Sequence, residues 1–283
     1  ITQAMAKAAT VLGVDILTSA AVQRIETRDN RVTGVTLANG DLITAPVVAA
    51  NTDPKRTFFE LLGEEYLPPE FARDLKGFRQ ESASLRMNLA LSELPQFAAL
   101  PGAEGPQHHA SIVMIENADH LNAAFHSAKR GEPANPPIIE AVIPSVVDDS
   151  LVDTPGHHVM SLLCKYMPYD LSQRRSWDEQ KQPVLEQIFD YVESFIPAIR
   201  DIVVGYQCLT PLDLERMLGM TRGDICHGRL EPDQLFNMRP HPDAAQYATP
   251  VKGLYLCGSG AHPGGGVTGA PGHNAARRIL KDW

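Results

Sequence analysis

Apolar and polar residues alternate with a period of two over 21–27, 31–37 and 41–48, which predicts three strands with one face on a core. Asp29-Asn30 and Asn39-Gly40 separate them, so the segment reads as a β-meander, with Asn39-Gly40 the stronger signal for a two-residue type I′ hairpin. The pattern becomes continuously apolar at 47–50, as in a strand covered on both faces. Asn51-Thr52-Asp53-Pro54 stops that run. Asp53 is placed to cap a helix, Pro54 suits its first turn, and Gly63 closes it after Leu62. Upstream, the first residues have helical spacing that Gly13 ends, with a strand expected beyond.

From residue 58 to residue 221 the spacing differs. Strand-like runs at 84–91, 111–116, 138–144 and 159–166 are separated by proline-rich and polar connections, which predicts an antiparallel sheet. Leu185, Ile188, Val192 and Phe195 mark one face of a helix over 177–196. A strand over 201–209 then leads through Thr210 and Pro211 into a short helix that Gly219 closes.

The stretch 251–283 carries the chemistry. It reads as an apolar strand at 253–257, a crossing that contains Gly258, Gly260, Gly264, Gly265, Gly266 and Gly269, and a helix with Pro271 in its first turn. Glycines leave backbone N–H groups accessible, and a helix N-terminus pointing back at them favours negative charge by roughly 0.3–1 kcal/mol at an exposed site. A tight strand-to-helix connection explains two or three of these glycines, and the remainder point to a ligand cradle. No Gly-Lys-Ser/Thr follows, which excludes a Walker loop. The chain also ends before the acidic residue that a dinucleotide fingerprint places about 20 positions on. Ser259 lacks the Gly-x-Ser-x-Gly frame, so hydrolase chemistry has no support.

Composition narrows the classes further. The chain has 283 residues, of which 43% are hydrophobic, enough to bury a core in one or two domains. A net charge of -9 opposes a nucleic-acid role. No apolar run approaches the roughly 20 residues of a membrane span. Cys164, Cys208, Cys226 and Cys257 form no Cys-x-x-Cys pair, so they are expected to be reduced, with Cys208 and Cys257 inert in apolar runs. His108-His109 and His157-His158 lack zinc spacing and read as solvated loops, so no metal site is expected. His227 reads either as a proton donor or base, with a free pKa near 6.5, or as a structural hydrogen-bonding residue. His262 favours the structural reading, and Arg239 either contacts a ligand or braces its loop.

The strand–glycine–helix of 253–280, the string TRGDICHGRLEPDQLFNMRP at 221–240 and VVAANTDP at 47–54 together resemble the phytoene desaturase and amine oxidase superfamily. That resemblance implies an α/β fold: a partial glutathione-reductase-like FAD-binding domain, its N-terminal Rossmann βαβ missing, with an inserted α+β substrate domain. The expected division is 1–57 and 222–283 for the FAD domain and 58–221 for the substrate domain. Gly258, Ser259, Gly260, Gly266, Val267 and Thr268 would line the flavin site, with Val22 offering backbone bonds to the adenine and His227 the candidate for proton chemistry. The implied activity is hydride transfer on an apolar small molecule, as a desaturase, dehydrogenase or isomerase. A non-catalytic scaffold and an amine oxidase are the alternatives. Read as the C-terminal part of a longer enzyme, the chain is expected to be isolated without FAD, in a reducing compartment: the cytoplasm of a bacterium, or the mitochondrial matrix of a eukaryote.

Overall fold

The computed structural model describes every residue of 1–283 except Ser82 and Ala103. The chain divides into two compact units, Ile1–Phe78 with Leu230–Trp283, and Arg79–Arg229. The expected boundaries at 57/58 and 221/222 therefore move. Phe58, Leu62, Phe71, Leu75 and Phe78 are buried in one cluster with Leu254 and Leu256, which keeps 58–78 in the first unit. Arg222 and Arg229 both hold the carboxylate of Glu81, and Arg229 N–H donates to the Arg79 carbonyl at 2.9 Å, which keeps 222–229 in the second.

In the first unit, α1 (Thr2–Val11) precedes the meander of β1 (Val22–Arg28), β2 (Arg31–Leu37) and β3 (Leu42–Thr44). No residue of α1 is buried, and the strand expected after Gly13 is not formed; Val14, Ile16 and Leu17 are exposed instead. A strand needs a ladder partner, and none is offered to 14–20. The turn assignment is also reversed. Asp29 and Asn30 both take positive φ, 50° and 56°, between the paired residues Arg28 and Arg31, as the two-residue hairpin requires. At the other turn only Gly40 does so, and the Asn39 side chain instead accepts from Asp41 N–H at 3.0 Å.

The expected strand over 41–48 splits at Pro46, which has no N–H for a ladder. β3 stays in the meander, whereas β4 (Val48–Ala50) pairs in parallel with β10 (Leu254–Leu256), a strand buried at every position. Asp53 then accepts from Arg56 N–H at 3.0 Å, as the expected cap does, ahead of a π-helical run, Arg56–Leu62, that ends at Gly63. α2 (Pro69–Lys76) and α7 (Ala270–Asp282) complete this unit.

The second unit is built on an antiparallel sheet, as expected. Its strands are β5 (Ser84–Leu91), β6 (Ile112–Met114), β7 (Ile138–Val142), β8 (His158–Lys165) and β9 (Val203–Leu209), in the order β6-β7-β8-β5-β9. α3 (Ala118–Lys129), α4 (Trp177–Glu193), the single turn α5 (Ile199–Ile202) and α6 (Pro211–Leu218) accompany it. Leu85, Met87, Leu89 and Leu91 on one face of β5 share a buried cluster with Met160 and Leu162 of β8 and with Leu185, Ile188 and Val192 of α4. Gly219, with φ 66°, closes α6 as the sequence indicates. No helix among the described residues is long and apolar enough to cross a membrane.

Candidate functional site

The parallel pair β4 and β10 delivers the glycine-rich crossing. Cys257 N–H donates to Ala50 O at 2.9 Å, so pairing runs to the edge of the loop. A Cβ on Gly258 would lie 2.3 Å from Asn51 Oδ1 and 2.7 Å from Asn51 O, so only glycine fits between the two strand ends. The loop then folds on itself through Ala261 N–H to Gly258 O at 3.0 Å and Gly264 N–H to Ala261 O at 2.8 Å. Beneath it lies Arg239, fully buried, whose Nε donates to Ser259 O at 2.9 Å and whose guanidinium sits 6.0 Å from the centre of the Phe78 ring. The bond to Ser259 O fits the bracing reading of Arg239.

Past Gly264 the internal bonding stops. The N–H groups of Gly265, Gly266, Val267, Thr268 and Gly269 make no hydrogen bond to another described residue, and 266–269 are exposed. α7 begins immediately after them, with Thr268 Oγ1 accepting from Ala270 N–H at 3.1 Å. Val267 is exposed and holds a φ of 55°, a conformation costly for a β-branched residue. Gly258, Ser259, Gly260, Gly266, Val267 and Thr268 thus fall on one loop. A run of N–H donors before a helix N-terminus suits a phosphate or the polar edge of a flavin ring, so the residues present fit FAD.

Val22 opens β1 in the same unit and is 38% exposed, which removes its reading as a core residue. His227 belongs to the second unit, in a turn organised by Asp224. The buried carboxylate of Asp224 accepts from Cys226 N–H at 2.8 Å and Gly228 N–H at 3.1 Å, while His227 N–H donates to the Asp224 carbonyl at 3.2 Å. That turn accounts structurally for much of the GDICHG string, and Asp224 was not singled out in the sequence. His262 precedes a cis peptide to Pro263, and its ring lies 5.9 Å from that of Phe236. His108 is buried rather than solvated, its ring bonded to Gly105 N–H at 3.1 Å and the Pro95 carbonyl at 2.9 Å.

The four cysteines are free. Burial pushes the thiol pKa of Cys164 far up and that of Cys208 to about 11, and it also raises Cys257. At neutral pH these groups are neutral thiols, and thiolate is the reactive form. Alkylation of the native protein is expected to spare Cys164 and Cys208, and denaturation to release both. Rapid native labelling of either, read by peptide mass, would contradict the burial.

The chain is similar to known proteins over most of its length. The chain is 41% identical over its whole length to pyridine nucleotide-disulfide oxidoreductase domain-containing protein 2 of Rattus norvegicus, covering 50% of that protein. It is 28% identical, over 94% of its length and 51% of the relative, to phytoene desaturase (lycopene-forming) of Pseudescherichia vulneris. Over most of its length the chain is thus similar to phytoene desaturase-like oxidoreductases. The crystal structure of an oxidoreductase from Methanosarcina mazei shares its fold, with a TM-score of 0.62, 17% identity, and coverage of 99% of this chain and 53% of that one. The chain thus spans about half the length of the curated relatives it matches. No family model matches it. The disulfide in the rat relative's name has no counterpart in cysteine pairing here, since all four cysteines are free.

Proposed function

We propose that this chain is half of an FAD-dependent oxidoreductase that moves hydride on an apolar small molecule. The observation carrying this reading is the run of five N–H groups, Gly265 to Gly269, left without internal partners immediately before α7. Val267 supports it, because strain of about 1–3 kcal/mol in an exposed loop residue is characteristic of a ligand clamp. On this reading the first unit is part of a glutathione-reductase-like FAD domain, and the second unit is the inserted substrate domain.

Bound FAD would supply the two-electron chemistry. The chain's own part is to bind and orient. Gly258 and Ser259 would sit beside the diphosphate and ribityl chain, Val267 and Thr268 would offer N–H groups to the pyrimidine edge, and Val22 would hold the adenine through its backbone. The positive end of α7 favours negative charge at that edge. His227, whose imidazole carries both a donor and an acceptor nitrogen, is the proposed proton donor or base. The apolar substrate follows the relatives whose names specify phytoene.

The test is an absorbance scan across the flavin bands, on the full-length protein and on this chain alone, each incubated with FAD and desalted. Flavin is expected to stay with the full-length protein and to leave the chain alone. A colourless full-length protein would overturn the enzymatic reading in favour of a scaffold that kept the architecture. Flavin retained by this chain alone would overturn only the idea that the cradle is split.

A further inference from the structure

The two faces of the second unit's sheet are chemically different. One is the core described above. The other, by strand alternation, carries Ser84, Arg86, Asn88 and Ala90 of β5, Ser161, Leu163 and Lys165 of β8, and Gln207 of β9. Asn88, Ser161 and Arg86 are partly buried there, while Ala90 and Gln207 are exposed.

Arg86 differs from the ion-paired arginines of its unit. Arg175, Arg200, Arg216, Arg222 and Arg229 each contact a carboxylate. Arg86 has a single hydrogen bond, from Nη1 to Ser161 Oγ at 3.1 Å, and no described carboxylate lies within ion-pair distance of it. A guanidinium has five N–H donors, so most of its capacity is unspent.

The bonds around it run in one direction. Ser161 Oγ accepts from Arg86 and donates to Asn88 Oδ1 at 2.7 Å, and Asn88 Nδ2 reaches toward Gln207 Oε1 at 3.5 Å. Each amide oxygen accepts one bond inside the row. The row leaves several donors at the surface: the rest of the guanidinium, the second Asn88 N–H and the Gln207 NH2. Among the described residues, the one carboxylate on this face, Glu140 of β7 opposite Leu163, is held by Lys165; the Arg86 guanidinium, with no carboxylate of its own, complements an anion, and its planar fork matches a carboxylate.

Its directly facing cross-strand neighbours are apolar. Strand register sets Leu163 of β8 and Leu209 of β9 directly across from Arg86, with Val142 of β7 opposite Ser161. Facing positions lie about 4.5–5.5 Å apart at Cβ, so hydrocarbon flanks the charge on both sides. Such flanks lower the local dielectric and strengthen a charge-assisted bond.

We infer that this sheet face binds a small apolar monocarboxylate, with Arg86 taking the carboxylate, Ser161 orienting the guanidinium, and Leu163 and Leu209 contacting the hydrocarbon tail. The site goes beyond the proposed function, since it requires no flavin.

The test is calorimetric titration of the full-length protein with octanoate and, in parallel, octanol. Octanoate is expected to bind more tightly, and its affinity alone should fall as ionic strength rises. Arg86→Gln should weaken octanoate by roughly tenfold to a hundredfold while leaving octanol unchanged. Arg86→Lys should recover part of the loss, because it keeps the charge without the fork. Arg200→Gln, which alters an arginine that contacts Glu186 and Asp190, should leave both ligands unchanged. Octanoate binding no tighter than octanol, or insensitive to salt, in the wild-type protein would overturn the inference without any variant. So would an equal loss of both ligands in Arg86→Gln. Flavin retention is scored separately, so failure here and failure of the oxidoreductase reading are distinguishable.

Discussion

Alanine at position 258 is expected to abolish flavin retention by the full-length protein and to lower its stability by about 1–3 kcal/mol, as overpacking at a closed contact does. The added methyl would meet two Asn51 atoms, at 2.3 Å and 2.7 Å. The first is the Asn51 side-chain oxygen, which can rotate aside. The second is the Asn51 backbone carbonyl, at the end of β4, and moving it disturbs the pairing of β4 with β10. The damage therefore passes into the loop that carries Ser259 and Gly260. Flavin absorbance after desalting and a thermal melt measure the two effects. The double variant with Asn51→Ala separates the contacts: it should recover only the part owed to the side chain. Retention of flavin by Gly258→Ala at the wild-type level would show that the crossing tolerates a wider turn and does not hold the cofactor as proposed.

The second large effect is expected at Arg239. This residue is fully buried, and its Nε holds Ser259 O at 2.9 Å. Arg239→Leu would leave that carbonyl without its donor and open space against Phe78 and Gly264. A hydrogen bond from a charged group contributes about 1.5–3 kcal/mol, and the packing loss adds to it, so a deficit of about 3 kcal/mol is expected in denaturant unfolding. Arg239→Lys should be nearly as damaging, because a single ammonium on a flexible stem cannot reproduce a buried planar group with several donors. Stability within about 0.5 kcal/mol of wild type for the leucine variant would mean that Arg239 is a bystander.

Both variants act on a part of the molecule that the chain announces locally. The run of glycines after an apolar strand, and Pro271 at the entry to α7, are visible without a fold. The same holds for β5, β8, α4 and the Gly219 cap, whose patterns have clear periods. Arg239 was ambiguous for a definite reason: an arginine before a proline looks the same whether its side chain lies in solvent or under a loop contributed from 20 residues away. Asp224 is not legible in the sequence because its role is to accept from the N–H groups of the residues that follow, and that role shows only once the turn has closed. His108 was misplaced in solvent because its ring partners include Pro95, 13 residues upstream.

Short-range terms, then, are decided by the order of residues alone: most strand and helix periods, caps, and a glycine-rich turn feeding a helix. These depend on groups within a few positions of one another. Three matters waited for the tertiary structure. One was the transfer of the chain at Pro46 from the meander to a parallel partner some 200 residues later. Another was the membership of 58–78 in the first unit. The last was the donor-rich row at Arg86, assembled from β5, β8 and β9. Each depends on which distant strand or side chain becomes a neighbour, and pairing over such separations is set by the packing of the whole core rather than by any local preference.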